Sequence, residues 1–109
     1  MLHRDLAGGR WWTMSLADQM ANAGADVGRA MNAKASADAA RFEPAFERAL
    51  ELIDLTLADP RRTPPQLKEI ARMREVVCDF LVGDNEYDSS AEWIDEYFLQ
   101  FAVAARSRR

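Results

Sequence analysis

The feature that most constrains the fold is a stripe of large apolar residues at helical spacing in the middle of the chain. Its members follow one another at intervals of three or four residues: Phe42, Phe46, Leu50, Ile53 and Leu57. This period places them on one face of an α-helix, which is expected to run from about Asp38 to Ala58. No segment of the sequence alternates apolar and polar residues over the length of a strand. We therefore predict an all-α fold.

Local signals mark the ends of the first two helices. Ser15 has the side chain of an N-cap, and Asp18 follows where its charge meets the positive end of the helix dipole. Asp59-Pro60 stops the second helix, because proline lacks a backbone donor and restricts the residue before it. The first helix is therefore expected to start at Ser15, and the second to end before Pro60.

The next two helices have signals of their own. Thr63 and Gln66 have the spacing of a capping box, which predicts the start of a third helix. Gly83 is expected to end it, because glycine tolerates the left-handed conformation common at helix C-termini. Ser89 and Glu92 repeat the capping-box spacing and predict a fourth helix. Four helices joined by short turns predict an antiparallel four-helix bundle.

The chain length and the first dozen residues predict the domain organisation. With 109 residues, the sequence suits one domain and is too short for two with stable cores. Residues 1–12 contain Gly8-Gly9 and no periodic pattern, so they are expected to form a loose N-terminal leader. Trp11 and Trp12 at the end of this leader are expected to dock on the bundle. Residues 13–109 then form a single helical-bundle domain.

Composition and charge exclude several classes of protein. The net charge of −4 disfavours the basic surface of a general nucleic-acid binder and argues against nucleic acid as a partner. Cys78 and His3 are the only cysteine and histidine, which excludes an internal disulfide framework and a zinc site built from several such side chains. No stretch approaches the roughly 18 apolar residues of a membrane-spanning helix, and residues 1–15 lack the apolar core of a signal peptide. This pattern favours a cytoplasmic protein.

Two charged residues interrupt the apolar faces of the second and third helices. Asp54 lies between core positions of the second helix, and Arg74 lies between core positions of the third. An unpaired buried charge is strongly destabilising, so the two are expected to face each other as a buried pair, joined by Glu51 or Arg48. We interpret this network as a structural clamp. An arginine that acts in a functional cleft is the alternative.

A second group of acidic residues has the chemistry of a metal site. Glu47, Glu51 and Asp54 share one helical face, and Glu75 with Asp79 supplies a pair on the third helix. This arrangement resembles the carboxylates with which all-α nucleotide pyrophosphohydrolases bind Mg²⁺, a cation that prefers oxygen ligands. A Mg²⁺-dependent nucleotide hydrolase is therefore an alternative function. The competing interpretation is the ordinary charge pattern of a solvated helix.

Two sets of residues predict a contact between chains. Small side chains on the first helix allow close packing, and the fourth helix has more aromatic surface than one bundle seam requires. We therefore expect a homo-oligomer, most simply a homodimer. The residues assigned to this interface are Ala17, Ala21, Gly24, Gly28, Trp93, Tyr97 and Phe101.

Four segments of the sequence carry a resemblance to a known family. They read SLADQ (15–19), RALELIDLT (48–56), REVVCD (74–79) and GDNEY (83–87). Together they are similar to a family of short, all-helical prokaryotic proteins with no assigned activity. The resemblance covers nearly the whole chain from Ser15, and it implies a prokaryotic source and one intact domain. It transfers no catalytic residue.

A second resemblance concerns the helical HEPN domains, some of which are toxin ribonucleases. Those domains carry an Arg, a polar residue and, a few positions later, a His on a late helix. Arg74-Glu75 fits the first part, but Asp79 or Phe80 stands where the histidine would fall. This resemblance implies a bundle that lacks ribonuclease activity and belongs to a toxin-antitoxin or defence system, encoded next to its partner.

The function expected from these observations is that of a noncatalytic, cytoplasmic helical-bundle protein. It would self-associate or dock on a protein partner, without a cofactor and without catalytic residues. The Mg²⁺-dependent nucleotide hydrolase and the HEPN-like component are the alternatives.

Overall fold

A computed structural model describes residues 9–107. A 3-10 turn at Arg10–Thr13 precedes four helices: α1 (Leu16–Ala35), α2 (Ala39–Leu57), α3 (Pro64–Val82) and α4 (Ala91–Ser107). Every regular element in the described range is helical. The prediction of an all-α four-helix bundle is therefore confirmed.

Helix α1 is the centre of the bundle. It packs against α2 along most of its length and against α4 on another side, while α3 contacts α2 and, more sparsely, α1. The core positions of α1 are fully buried, among them Met20, Ala23 and Val27. Because many of these side chains are small, the neighbouring helices approach the α1 backbone closely.

The closest approach is at Gly24, where α4 crosses α1. A Cβ atom at this position would lie 2.6 Å from the Cβ of Phe98 and 2.8 Å from its Cγ. No side chain fits there, so the predicted close packing along the small-residue stripe is confirmed at Gly24. At Gly28 the same construction meets nothing within 4 Å. Gly24, and not Gly28, is therefore required by this helix contact.

The N-terminal tryptophans join the bundle, as predicted. Trp11 is buried, and its Nε1 donates to the hydroxyl of Thr56 over 3.2 Å. Trp12 Nε1 donates to the backbone carbonyl of Leu55 over 3.0 Å. Both indole donors are thus satisfied by α2, which fixes the segment before α1 against that helix.

The core face of α2 differs from the prediction. Of the large apolar stripe only Ile53 is fully buried, whereas Phe42 and Phe46 stack on each other at 5.4 Å in half-buried positions. Ala45 and Ala49 are almost completely buried instead. Small side chains at these positions suit the close contact between α2 and α1, the most extensively packed pair of helices.

The capping predictions for α1 and α3 are confirmed. Ser15 Oγ accepts a hydrogen bond from the backbone nitrogen of Asp18. The Thr63 side chain and the Gln66 side chain form both halves of a capping box at the start of α3. These signals depend on short sequence distances, so packing does not override them.

Two predictions about the segment between α3 and α4 are wrong. Helix α3 ends at Gly83 as predicted, but the φ of Gly83 is −99° and therefore not left-handed; a Cβ there would instead lie 3.0 Å from the carbonyl oxygen of Asp79. The left-handed residues of this segment are Asn85 and Asp88, each with φ 54°. Helix α4 is capped by Ser90 rather than Ser89, since Ser90 Oγ accepts from the backbone nitrogen three residues later, over 3.1 Å. The hydrogen bonds of the turn shift the start of α4 by one residue.

Candidate functional site

The turn between α3 and α4 is held in a single conformation by hydrogen bonds. The carboxylate of Asp79 accepts from the backbone nitrogens of Glu86 over 2.8 Å and Tyr87 over 3.0 Å. Asn85 and Ser89 exchange two further hydrogen bonds, of 3.0 and 2.9 Å. The turn therefore presents the Tyr87 side chain in a defined place beside α3.

A cavity of about 410 Å³ lies between this turn, α3 and the start of α4. Tyr87 and Trp93 line it, and they are 46% and 50% exposed; Val76 and Arg72 contribute from α3. The Tyr87 hydroxyl donates to the carboxylate of Glu75 over 2.9 Å, and this hydrogen bond raises the pKa of Tyr87. The cavity therefore presents two exposed aromatic rings beside the charged side chain of Arg72.

The other aromatic residues of α4 connect it to α3. Tyr97 is half-buried between Trp93 and Phe101, with ring centroids 6.2 and 5.5 Å away, and its hydroxyl donates to Glu69 over 3.0 Å. Burial raises the pKa of Tyr97 well above its usual range, and the Glu69 carboxylate adds to the effect. Of the three aromatic residues assigned to an interface, Trp93 is therefore the exposed one. Tyr97 and Phe101 fill the space between helices.

Another side of α4, turned away from the core, carries a second exposed surface, which we call the outer face. It consists of Glu96, Leu99, Val103 and Arg106, all exposed, with Leu99 at 53% and Val103 at 48%. One turn of helix separates Leu99 from Val103, so the two side chains are neighbours. The face is apolar at its centre and charged at both ends.

A groove of about 380 Å³ runs between the outer face and α1. Small residues of α1 line one side, and α4 lines the other with two carboxylates and three apolar side chains: Ala21, Gly24 and Ala25 against Asp95, Glu96, Phe98, Leu99 and Ala102. Two members of the predicted small-residue stripe therefore border the exposed surface of α4. Of the other two, Ala17 is buried and Gly28 is half-buried.

The carboxylates considered for a metal site are engaged elsewhere or lie apart. Asp54 pairs with an arginine, Glu75 accepts from a tyrosine and Asp79 anchors the turn. Glu47 is exposed and Glu51 half-buried on α2. Within residues 9–107, no three Asp, Glu, His or Cys side chains are grouped so that they could hold a metal ion. The five carboxylates do not form one site.

The predicted pair of Asp54 and Arg74 is present, but the expectation that it is buried is wrong. Arg74 Nε lies 2.7 Å from Asp54 Oδ1, and the side chains are 37% and 53% exposed. Arg48 does not join them: its Nε lies 3.4 Å from Asp26 Oδ1, on α1. Water therefore reaches both side chains of the ion pair. It is a surface clamp between α2 and α3.

A buried polar network was not predicted and lies at the other end of the bundle. The carboxylate of Asp59 accepts from Gln19 Nε2 over 3.0 Å and from Arg61 Nη2 over 2.6 Å. The hydrogen bonds from Arg61 hold the pKa of Asp59 well below its usual range. Gln19 also donates to the backbone carbonyl of Trp11 over 2.8 Å. The network ties the N-terminal segment, α1 and the connection after α2 together, which is a structural role.

The features required by the HEPN resemblance do not form a site in the described residues. Arg74 is held by Asp54, and Asp79 is used by the turn. His3 lies outside the described residues. Cys78, which lies on the same helix, is half-buried, and burial raises the pKa of its thiol. A reactive thiolate is therefore disfavoured at this position.

The sequence and the structure were compared with those of known proteins. Comparisons with protein-family models, with curated proteins and with solved structures find no match. None of the helices within residues 9–107 combines the length and the apolar character needed to cross a membrane. The resemblances to a short all-helical prokaryotic family and to HEPN domains therefore remain predictions from the sequence.

Proposed function

We propose that this chain is a noncatalytic interaction protein that binds another protein chain through α4. The observation that carries the proposal is the exposure of large apolar side chains on this helix, Leu99 and Val103 on its outer face and Trp93 on the other side. The partner is a second copy of the chain or a different protein. The prokaryotic source and cytoplasmic location expected from the sequence belong to the same proposal.

The exposed side chains of Leu99, Val103 and Trp93 are unfavourably hydrated in the isolated chain. Removing apolar surface from water favours association, and the surplus over the cost of ordering the two partners is the binding free energy. Contiguous exposed apolar surface with a polar rim is typical of protein interaction sites. Leu99 and Val103 are adjacent and flanked by Glu96 and Arg106, so the outer face has this character.

The position of the carboxylates supports this function over the Mg²⁺-dependent hydrolase. A hydrolase of that kind needs several oxygen ligands that converge on one ion and leave room for substrate phosphates. Asp54, Glu75 and Asp79 each have a different partner in the described structure. No comparable observation favours catalysis at these side chains.

Photo-crosslinking in the producing cell tests the proposal. A benzophenone amino acid replaces Leu99, and in a matched control it replaces Lys68, an exposed residue of α3. We expect ultraviolet light to give a protein adduct at position 99 and little at position 68. The mass of the adduct distinguishes a second copy from another protein. Equal yields at the two positions would contradict a binding role for α4.

A further inference from the structure

We infer that two copies of this chain associate through the outer faces of their α4 helices. The two helices pack antiparallel, and the two-fold axis lies at the height of residue 101 along each helix, halfway between Leu99 and Val103. The inference rests on the proposed function and names the partner as a second copy. Three observations carry it: the exposed Leu99 and Val103, the groove beside them, and the distribution of charge along α4.

The groove provides room for the side chains of the other copy. Ala21, Gly24 and Ala25 on α1 leave a channel of about 380 Å³ next to Leu99. In an antiparallel pair of helices, the large side chains of one helix fit into such depressions beside the other. In the antiparallel register, Val103 of the second copy lies opposite Leu99 and therefore next to this groove.

The charges on α4 are separated by sign along its length. Glu92, Asp95 and Glu96 are exposed in its first half, and Arg106 is exposed in its last turn. None of the four forms an ion pair with another of the residues 9–107. Glu96 and Arg106 are about 15 Å apart along the helix axis, too far to pair within one chain. The helix dipole favours this polarity, and the same polarity determines how two copies can align.

An antiparallel arrangement satisfies the apolar and the charged residues in the same register. With residue 101 at the centre, Leu99 of one copy faces Val103 of the other, and Glu96 faces Arg106. The two-fold symmetry of such a dimer makes each of these contacts occur twice. A parallel pair would place Glu96 beside Glu96 and Arg106 beside Arg106. The charges therefore favour the antiparallel dimer.

The size of the contact predicts a reversible association. Helix α4 has 17 residues, so it is about 25 Å long. A pair of helices of this length, with support from α1, forms an interface at the small end of the range for specific complexes. We therefore expect a dissociation constant in the micromolar range, accessible to sedimentation velocity over a series of concentrations.

Charge reversal tests the register. Glu96→Arg and Arg106→Glu each convert two attractive contacts into two repulsive ones, so each should weaken the dimer at least about tenfold. The double variant restores opposite charges and should dimerise within about threefold of the wild-type chain. An equimolar mixture of the two single variants should form a mixed dimer, because each chain then complements the other. Glu43→Arg, an exposed site on α2, is the control for the change in net charge.

The outcomes separate this inference from the proposed function. Wild-type dimers that Glu96→Arg weakens no more than Glu43→Arg would overturn the antiparallel register. A wild-type chain that stays monomeric at every concentration would also overturn it, even where position 99 crosslinks to a different protein and the proposed function stands. Circular dichroism of each variant verifies that its fold is intact.

Discussion

Alanine substitution of Gly24 tests the contact that places α4 on α1. The added Cβ would lie 2.6 to 2.9 Å from three atoms of Phe98, one of which is its Cβ. This atom is close to the backbone and cannot move away by rotation of the side chain, so the two helices must separate. Overpacking of this kind costs about 1–3 kcal/mol. The gain in helix propensity from glycine to alanine offsets about 1 kcal/mol of this cost.

The expected result for Gly24→Ala is a net destabilisation of up to about 2 kcal/mol, which lowers Tm by about 4 °C for each kcal/mol. Gly28→Ala is the matched control, because a Cβ at Gly28 meets nothing within 4 Å. It should stabilise the fold by about 0.5–1 kcal/mol through helix propensity alone. Urea unfolding followed by circular dichroism measures both free energies at one protein concentration. Equal stabilisation by the two substitutions would refute the close approach at Gly24.

Three other predictions follow from the polar contacts. Asp59→Asn should destabilise the fold by about 2–3 kcal/mol at neutral pH, because it removes a buried charge that accepts several hydrogen bonds. The pKa of Asp59 is lowered in the folded state. The ionised carboxylate therefore stabilises the fold fully above the unfolded pKa of about 3.9, and this contribution is lost as the pH falls below that value. Urea unfolding between neutral and acidic pH should show that the free energy of unfolding of Asp59→Asn depends less on pH than that of the wild-type chain. A double-mutant cycle on Asp54 and Arg74 should give a coupling of less than about 1 kcal/mol that decreases with salt, and a coupling several times larger would contradict the exposed geometry. Tyr97→Phe should cost about 1 kcal/mol through the lost bond to Glu69. Because the pKa of Tyr97 is raised, its phenolate absorbance should appear at a higher pH than in the unfolded chain, and titration at the ordinary pH would contradict its burial.

The sequence predicts features that depend on a few adjacent residues. The capping box of Thr63 and Gln66 and the N-cap of Ser15 appear in the structure because both ends of each interaction lie within one turn of helix. The Ser89 and Glu92 pair has the same spacing, yet Ser90 caps α4. The difference comes from the hydrogen bonds that Ser89 makes with the turn, which a spacing rule does not contain.

Features that depend on the approach of distant helices are harder to predict. Ala45 and Ala49 are the buried positions in this part of α2, although the larger Phe42 and Phe46 dominate the hydrophobic pattern. Hydrophobic periodicity predicts that the largest apolar side chains face the core, whereas the closest packing of two helices occurs where the side chains are smallest.

The polar contacts illustrate the same limit. Two charges on neighbouring helices predicted the pair of Asp54 and Arg74, but its exposure depends on how closely α2 and α3 pack around it, which no local sequence pattern gives. The contact between Gln19 and Asp59 joins residues 40 positions apart. No local pattern indicates it.

Sedimentation equilibrium of Leu99→Asp tests whether α4 is the surface through which two copies associate. The matched control is Leu67→Asp, an exposed leucine on α3 away from the outer face. The wild-type chain and Leu67→Asp should approach twice the 12.3 kDa of one chain at high concentration. At the same concentration, Leu99→Asp should remain a folded monomer. In a dimer, this variant would bring together Glu96 and the new aspartate of each copy, which places four carboxylates in a contact that is apolar at its centre in the wild-type chain. Equal self-association of Leu99→Asp, Leu67→Asp and the wild-type chain would contradict the claim that α4 is the binding surface.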